Sequence, residues 1–219
     1  MLVTHLGHSC LLVEMADQRI LLDPGGFTPG FETVRDLSAI IVTHQHPDHL
    51  DRERLPRLRQ GNPAARLIVE SMTHEILSGA GVEAEELRSG TSITLGEVQL
   101  DPVGTHHAVI HADIPRIDNT GVVLRAAGEP SLFHPGDALD AEPGPVDILC
   151  VPINAPWCAM KETVDFVRRI APRVFVPIHD GLLQPRGRSL YLTQIDNLAG
   201  AEIRAADLAG AGAVDPAAD

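Results

Sequence analysis

Thr43-His44-Gln45-His46-Pro47-Asp48-His49 packs four potential metal ligands into the six residues from His44 to His49, directly behind the apolar run Ser38-Ala39-Ile40-Ile41-Val42. Imidazole nitrogens and a carboxylate are what zinc and similar divalent ions bind. In extended backbone, side chains at i and i+2 point to one side, so His44 and His46 can chelate together. Pro47 disfavours helical geometry at His46 but suits the first turn of a helix, so Asp48 and His49 are expected to diverge from a helix N-terminus as a second pair of ligands.

Ligand-type residues recur just after other strand-like runs. Val98 to Val103 leads to Gly104-Thr105-His106-His107 and on to His111. Ser131 to Phe133 leads to His134-Pro135-Gly136-Asp137, and Val174 to Pro177 leads to His179. His106, His107 and His111 are chemically equivalent candidates when only the residues are considered. His8 and Asp23 stand at turns of an opening meander formed by Leu2 to Leu6, Cys10 to Met15 and Arg19 to Leu22. Local turn chemistry and an outer role beside a metal are both open to them, and to His134. Trp157 lies between a strand and a helix, as core packing or a pocket wall.

Ala39 to Val42 is apolar without interruption, as in a central strand covered on both faces. Leu50, Leu55 and Leu58 amid arginines suggest a surface helix. Arg66 to Val69 followed by Met72 to Ser78 is a strand-helix step closing at Gly79-Ala80-Gly81. Thr91 to Leu95 with Val98 to Val103, and Thr120 to Arg125 with Ser131 to Phe133, suggest two hairpins. Ile148 to Pro152 and Val174 to Pro177 flank a helix from Glu162 to Ile170, a βαβ unit. Gln184 to Arg188 is expected to be a loop. Residues 1–208 are expected to form one domain and 209–219, rich in Ala, Gly and Asp, a disordered tail.

The chain has 219 residues, with 44% hydrophobic and 21% charged residues, an ordinary globular composition. A net charge of -13, with Lys161 as the only lysine, disfavours nucleic acid and anionic membranes, both of which attract basic surfaces. A small-molecule substrate is expected, and homo-oligomerisation stays open. Cys10, Cys150 and Cys158 are too few and too widely spaced for a disulfide framework, which suggests a reducing, cytoplasmic setting. Neither a positively charged leader nor an apolar run of the roughly 18 residues needed for a membrane span is visible.

Taken together, the T-H-x-H-x-D-H signature, the later His107, the Gly136-Asp137 turn and the final His179 after a strand resemble the metallo-β-lactamase-fold hydrolase superfamily. Leu6-Gly7-His8-Ser9, Leu21-Leu22-Asp23-Pro24 and His134-Pro135-Gly136-Asp137 resemble, more weakly, the branch of small enzymes that includes L-ascorbate-6-phosphate lactonase. The resemblance implies an α/β fold of two mixed β-sheets packed face to face with helices outside, a four-layer αββα sandwich. It implies two divalent metal ions, Zn2+ first, with Mn2+, Fe2+ or Ni2+ compatible with the same donors. His44, His46 and His107 would hold one ion, Asp48, His49 and His179 the other, and Asp137 would bridge them.

Two such ions sharing a water lower its pKa from about 15.7 toward about 7, which makes hydroxide available for hydrolysis of a small ester, lactone or phosphoester. Asp48 is then the candidate to orient that hydroxide and shuttle its proton. A nuclease of the same fold is the alternative within catalysis, disfavoured by the acidic composition. A non-catalytic metal-binding protein is the alternative outside it, disfavoured by the complete ligand set.

Overall fold

The computed structural model describes residues 1–218. In chain order, β1 (Leu2–Gly7), β2 (Cys10–Met15), β3 (Gln18–Leu22), β4 (Ala39–Val42), β5 (Arg66–Val69) and the short β6 (Glu85–Glu86) form one sheet in sequence order. Its first three strands are antiparallel and β3 to β6 are parallel. The second sheet takes β7 (Ile93–Leu95), β8 (Val98–Val103), β9 (Gly121–Arg125), β10 (Leu132–His134), β11 (Ile148–Pro152), β12 (Val174–Ile178) and β13 (Arg204–Ala205), again in sequence order. Here β7 to β10 are antiparallel and β10 to β13 parallel, so both sheets are mixed.

Strand alternation decides what each face buries. In β4, Ala39 and Ile41 join Leu11, Val13 and Ile20 against Leu100, Val122, Leu124, Ile148 and Val176 of the other sheet. Ile40 and Val42 point the other way, onto Leu55 and Leu58 of α1 (Leu55–Gly61) and Leu77 of α2 (Ser71–Gly79). On the far side, Val123, Leu149, Val151 and Phe175 pack against Val164 and Val167 of α3 (Met160–Ile170) and Ile195 and Ala199 of α4 (Pro185–Ala199). Three apolar layers between four layers of structure make the αββα sandwich, each fully buried Val, Leu or Ile contributing roughly 1.5–3 kcal/mol. Among the described residues no helix is long and apolar enough to cross a membrane.

The helices start and stop for local reasons. Buried Glu70 caps α2 by accepting from Met72 N at 2.6 Å and Thr73 N at 2.7 Å. Glu162 accepts the N–H of Ala159 at 2.9 Å to open α3, which ends at Ala171 in the left-handed region just before Pro172.

Three expectations are corrected. Pro47 does not open a helix: Leu50 N donates to His46 O at 2.8 Å in a single turn, and Asp51 N then turns to Pro24 O at 3.1 Å. Asp51 accepts from the N–H groups of Glu53 and Arg54, and α1 begins only at Leu55, later than the leucine pattern suggests. The expected loop Gln184 to Arg188 instead opens α4, with Pro185 in its first turn, where a missing N–H costs nothing. The segment after 208 is laid along β1: Val3 and Val214 exchange backbone hydrogen bonds at 2.8 and 3.1 Å, and Val214 and Ala217 pack on the inter-sheet core. Position 219 of the expected tail lies outside the described residues.

Candidate metal centre

The site lies at one edge of the sandwich, where β3, β4, β10, β11 and β12 all end. Asp23, fully buried after β3, accepts from Thr43 N at 2.8 Å, from Thr43 Oγ1 at 2.7 Å and from His49 Nδ1 at 2.7 Å. One carboxylate therefore fixes the first residue of the motif and the last. The turn between them is backed by Gly26 N donating to Pro47 O at 2.6 Å, and Gly25 is obligatory because a Cβ there would sit 1.7 Å from Asp48 O. Gly136, at φ 62°, plays the same part for Asp137: a Cβ would lie 2.2 Å from Asn119 Oδ1 and 2.7 Å from Thr43 Oγ1.

Three imidazoles are oriented by their Nδ1 atoms. His49 donates to Asp23, His107 to Ala108 O at 2.6 Å and His179 to Asn154 O at 2.6 Å. The proton on Nδ1 leaves the lone pair on Nε2. All three Nε2 atoms are buried without a hydrogen-bond partner, as is Asp137 Oδ1. His49 Nε2 lies 3.0 Å from Asp137 Oδ1, and His179 and His107 Nε2 lie 3.2 and 3.3 Å from Asp137 Oδ2. A buried polar atom left unpaired costs about 1–3 kcal/mol, so several converging on one point fit a cation.

The ligand atoms fall into two groups, each lying within 4.8 Å of one another: His44, His46, His107 and Asp137, and His8, Asp48, His49 and His179. In the first, His44 Nε2 faces His46 Nδ1 at 3.1 Å and Asp137 Oδ2 at 3.8 Å. In the second, Asp48 Oδ2 lies 3.5 Å from His179 Nε2 and 3.9 Å from His49 Nε2. Asp137, close to His107 on one side and to His49 and His179 on the other, stands between the groups. His8 Nδ1 accepts from Gly181 N at 3.1 Å, which puts the proton on Nε2 and makes it the donor to Asp48 Oδ2 at 3.1 Å. His8 thus orients Asp48 and has no free lone pair of its own.

His106 and His111 are exposed and face Asp118 and Asp113, so the structure brings only His107 of that trio to the cluster. Buried His134 accepts from Gly136 N at 3.2 Å and donates to Ser9 O at 3.0 Å, holding the turn that presents Asp137. His5 spans to His8 O at 2.8 Å. Trp157 has a role that composition could not reveal: its indole N–H donates to Asp137 Oδ2 at 3.1 Å. That contact crosses two loops, and no residue spacing encodes it.

The electrostatics follow from burial set against mutual charge. Burial opposes ionisation of Asp137, but His49, His179 and His107 hold its carboxyl well below the usual range. Burial likewise opposes ionisation of Asp48, and the neighbouring imidazoles of His179 and His8 outweigh it. Burial pushes His44 and His46 down, toward neutral imidazoles. Burial also acts to lower His179 and His49, but Asp137 overrides it in both, raising His179 to about 9. Three site residues, His8, Asp23 and His179, hold left-handed backbone at φ 53°, 45° and 60°. Such conformations cost of order 1–3 kcal/mol each, and backbone bonds from His179 N to His8 O and from Asp23 N to Ile41 O, both 2.9 Å, pin them.

The profile described as the beta-lactamase superfamily domain matches residues 2–179, a span that takes in every residue of both groups. The chain belongs to the beta-lactamase superfamily. Protein Rv0786c of Mycobacterium tuberculosis is 42% identical over 90% of this chain and 92% of its own length. A UPF0173 metal-dependent hydrolase of Methylobacterium nodulans is 26% identical over 83% and 85%. Among solved structures, Igni18, a novel metallo hydrolase from Ignicoccus hospitalis, superposes with a TM-score of 0.73 at 17% identity, covering 97% of each chain, which establishes a common fold.

Proposed function

We propose that this chain is a metal-dependent hydrolase that holds two divalent ions and cleaves a small ester, lactone or phosphoester in the cytoplasm. The observation that carries the reading is the set of buried, unpartnered Nε2 atoms of His49, His107 and His179 gathered around Asp137. His44, His46, His107 and Asp137 would hold one ion, and Asp48, His49 and His179, with Asp137 shared, the other. Nitrogen and oxygen donors without a thiolate suit zinc, and accept manganese, iron or nickel. Bound there, the ions supply an activated water and Lewis-acid polarisation of the scissile group.

The chain's own residues do the rest. Asp23 holds His49 in the tautomer that frees Nε2, and the carbonyls of Ala108 and Asn154 do the same for His107 and His179. Asp48, oriented by His8 Nε2 and partly open to the cavity, is placed to hold or pass a proton at Oδ2. Trp157 N–H fixes the Asp137 carboxylate from the solvent side.

Elemental analysis of protein purified without added metal, followed by chelation and re-addition with an ester, lactone and phosphodiester panel, tests this. The expectation is two ions per chain and turnover that disappears and returns with them. Protein that hydrolyses the panel equally well after complete stripping would overturn the reading.

A further inference from the structure

A cavity of about 320 Å³ opens directly onto the site, at the small end of the roughly 300–1,000 Å³ range of small-molecule pockets. Its floor is His46, Asp48, Asp137 and His179, and its wall is Phe27, Pro47, Ile110, Pro156, Trp157 and Leu182. The wall contributes no side-chain charge. Phe27, Ile110 and Leu182 are 48%, 37% and 53% exposed, so large apolar surface is held at the mouth where a soluble chain normally places polar groups.

Among the described residues lining this cavity there is no lysine or arginine. Arg116 lines the neighbouring depressions and is already engaged, with Nε on His107 O at 2.5 Å and Nη2 3.5 Å from Asp140. Sites that select a phosphate or a carboxylate supply a fork of N–H donors or a point cation for it. The chain as a whole carries -13, which further repels anions.

We propose that the substrate is an uncharged carboxylic ester or lactone with an apolar acyl or alkoxy group lying against Phe27, Ile110, Trp157 and Leu182, and that phosphoesters and carboxylate-bearing esters are disfavoured. This rests on the metal-hydrolase reading above and narrows it. In the reaction, the oxygen of water bonds to the carbonyl carbon and the bond from that carbon to the alkoxy oxygen breaks. The alkoxy oxygen takes up one proton, and the acid formed releases the other to solvent. The product is then the only anion, and no cationic side chain of the cavity adds to its hold.

The test compares phenyl butyrate, monophenyl succinate and phenyl phosphate on the metal-loaded protein. Phenyl butyrate should exceed both others in kcat/KM by about tenfold or more, a discrimination within reach of one unpaired charge in an apolar pocket. Leu182→Lys, at an exposed position, should shift the ratio of monophenyl succinate to phenyl butyrate by about tenfold toward the succinate ester. Trp157, the only tryptophan, gives a readout independent of turnover: octan-2-one should saturate a change in its emission. Turnover of either anionic ester at the rate of phenyl butyrate or above would overturn the proposal, and so would an emission unmoved by octan-2-one. Failure of the hydrolase reading would look different, as turnover indifferent to metal removal with the octan-2-one response intact.

Discussion

Asp23 Oδ2 accepts the Nδ1–H of His49 at 2.7 Å with both side chains fully shielded from solvent. The bond sets the imidazole's tautomer, and the same carboxylate anchors Thr43 at the other end of the motif. Asp23→Asn keeps the shape but presents a weaker acceptor, and in one orientation a donor. Metal affinity should fall about 10–100-fold, as outer partners of ligating histidines typically produce. Competitive titration against a chelator reads it, and an affinity within twofold of the parent would show that the pair is only structural.

The two faces of the segment around His107 make separable forecasts. His106 and His107 are successive residues in extended chain bonded to Asp118 and Ile117, so their side chains point to opposite sides. His107→Ala should lower bound metal by about one ion per chain under the proposed ligand set. His106→Ala and His111→Ala, on the exposed side, should leave it unchanged. Metal lost from His106→Ala instead would transfer the ligand role.

Much of the candidate site was legible because its ligand-type residues follow strands. His44, His46, Asp48 and His49 fall within six residues, and Asp137 and His179 each follow a readable apolar run. The choice among His106, His107 and His111 was not legible from residue type, since it depends on which face of one short extended segment looks inward. His8 was open between turn and site because its role is fixed by Gly181, far along the chain. Helix α4 was hidden by Pro185 and Gly187, which read as loop although a proline is welcome in a first turn. The last segment was hidden by composition: Ala, Gly and Asp show no periodicity, yet pairing with β1 needs only backbone and one Val.

That last segment can be weighed. Removing residues 213–219 deletes both Val3 to Val214 hydrogen bonds and uncovers part of the inter-sheet core. Two net hydrogen bonds amount to about 1–3 kcal/mol. Urea unfolding should show a lower midpoint with little change in slope. A midpoint equal to the full chain's would mean that β1 gains nothing from this cover.

Asp147 supplies a pH dependence away from the metal site. Its Oδ2 accepts from Ser131 N and Oγ, both at 2.8 Å, and its N–H donates to Ser131 Oγ at 3.0 Å, tying the start of β10 to the start of β11. The backbone N–H of Ser131 is the main cause of a carboxyl held below its ordinary value, with partial burial opposing and the Ser131 hydroxyl assisting. A carboxyl lowered in the folded state adds stability above its unfolded pKa of about 3.9, and that stability is lost as pH falls through the folded value. Asp147→Asn should therefore destabilise the protein at pH 7 by about 1 kcal/mol, the difference between a charged and a neutral acceptor. The gap to the parent should narrow steadily below about pH 4, where Asp147 of the unfolded parent takes up protons that the folded state still excludes. Paired urea titrations of the two proteins at pH 7 and pH 3 measure both gaps. Equal gaps at the two pH values would mean that the loss comes from packing or amide orientation, because only the ionised carboxylate carries the proton linkage.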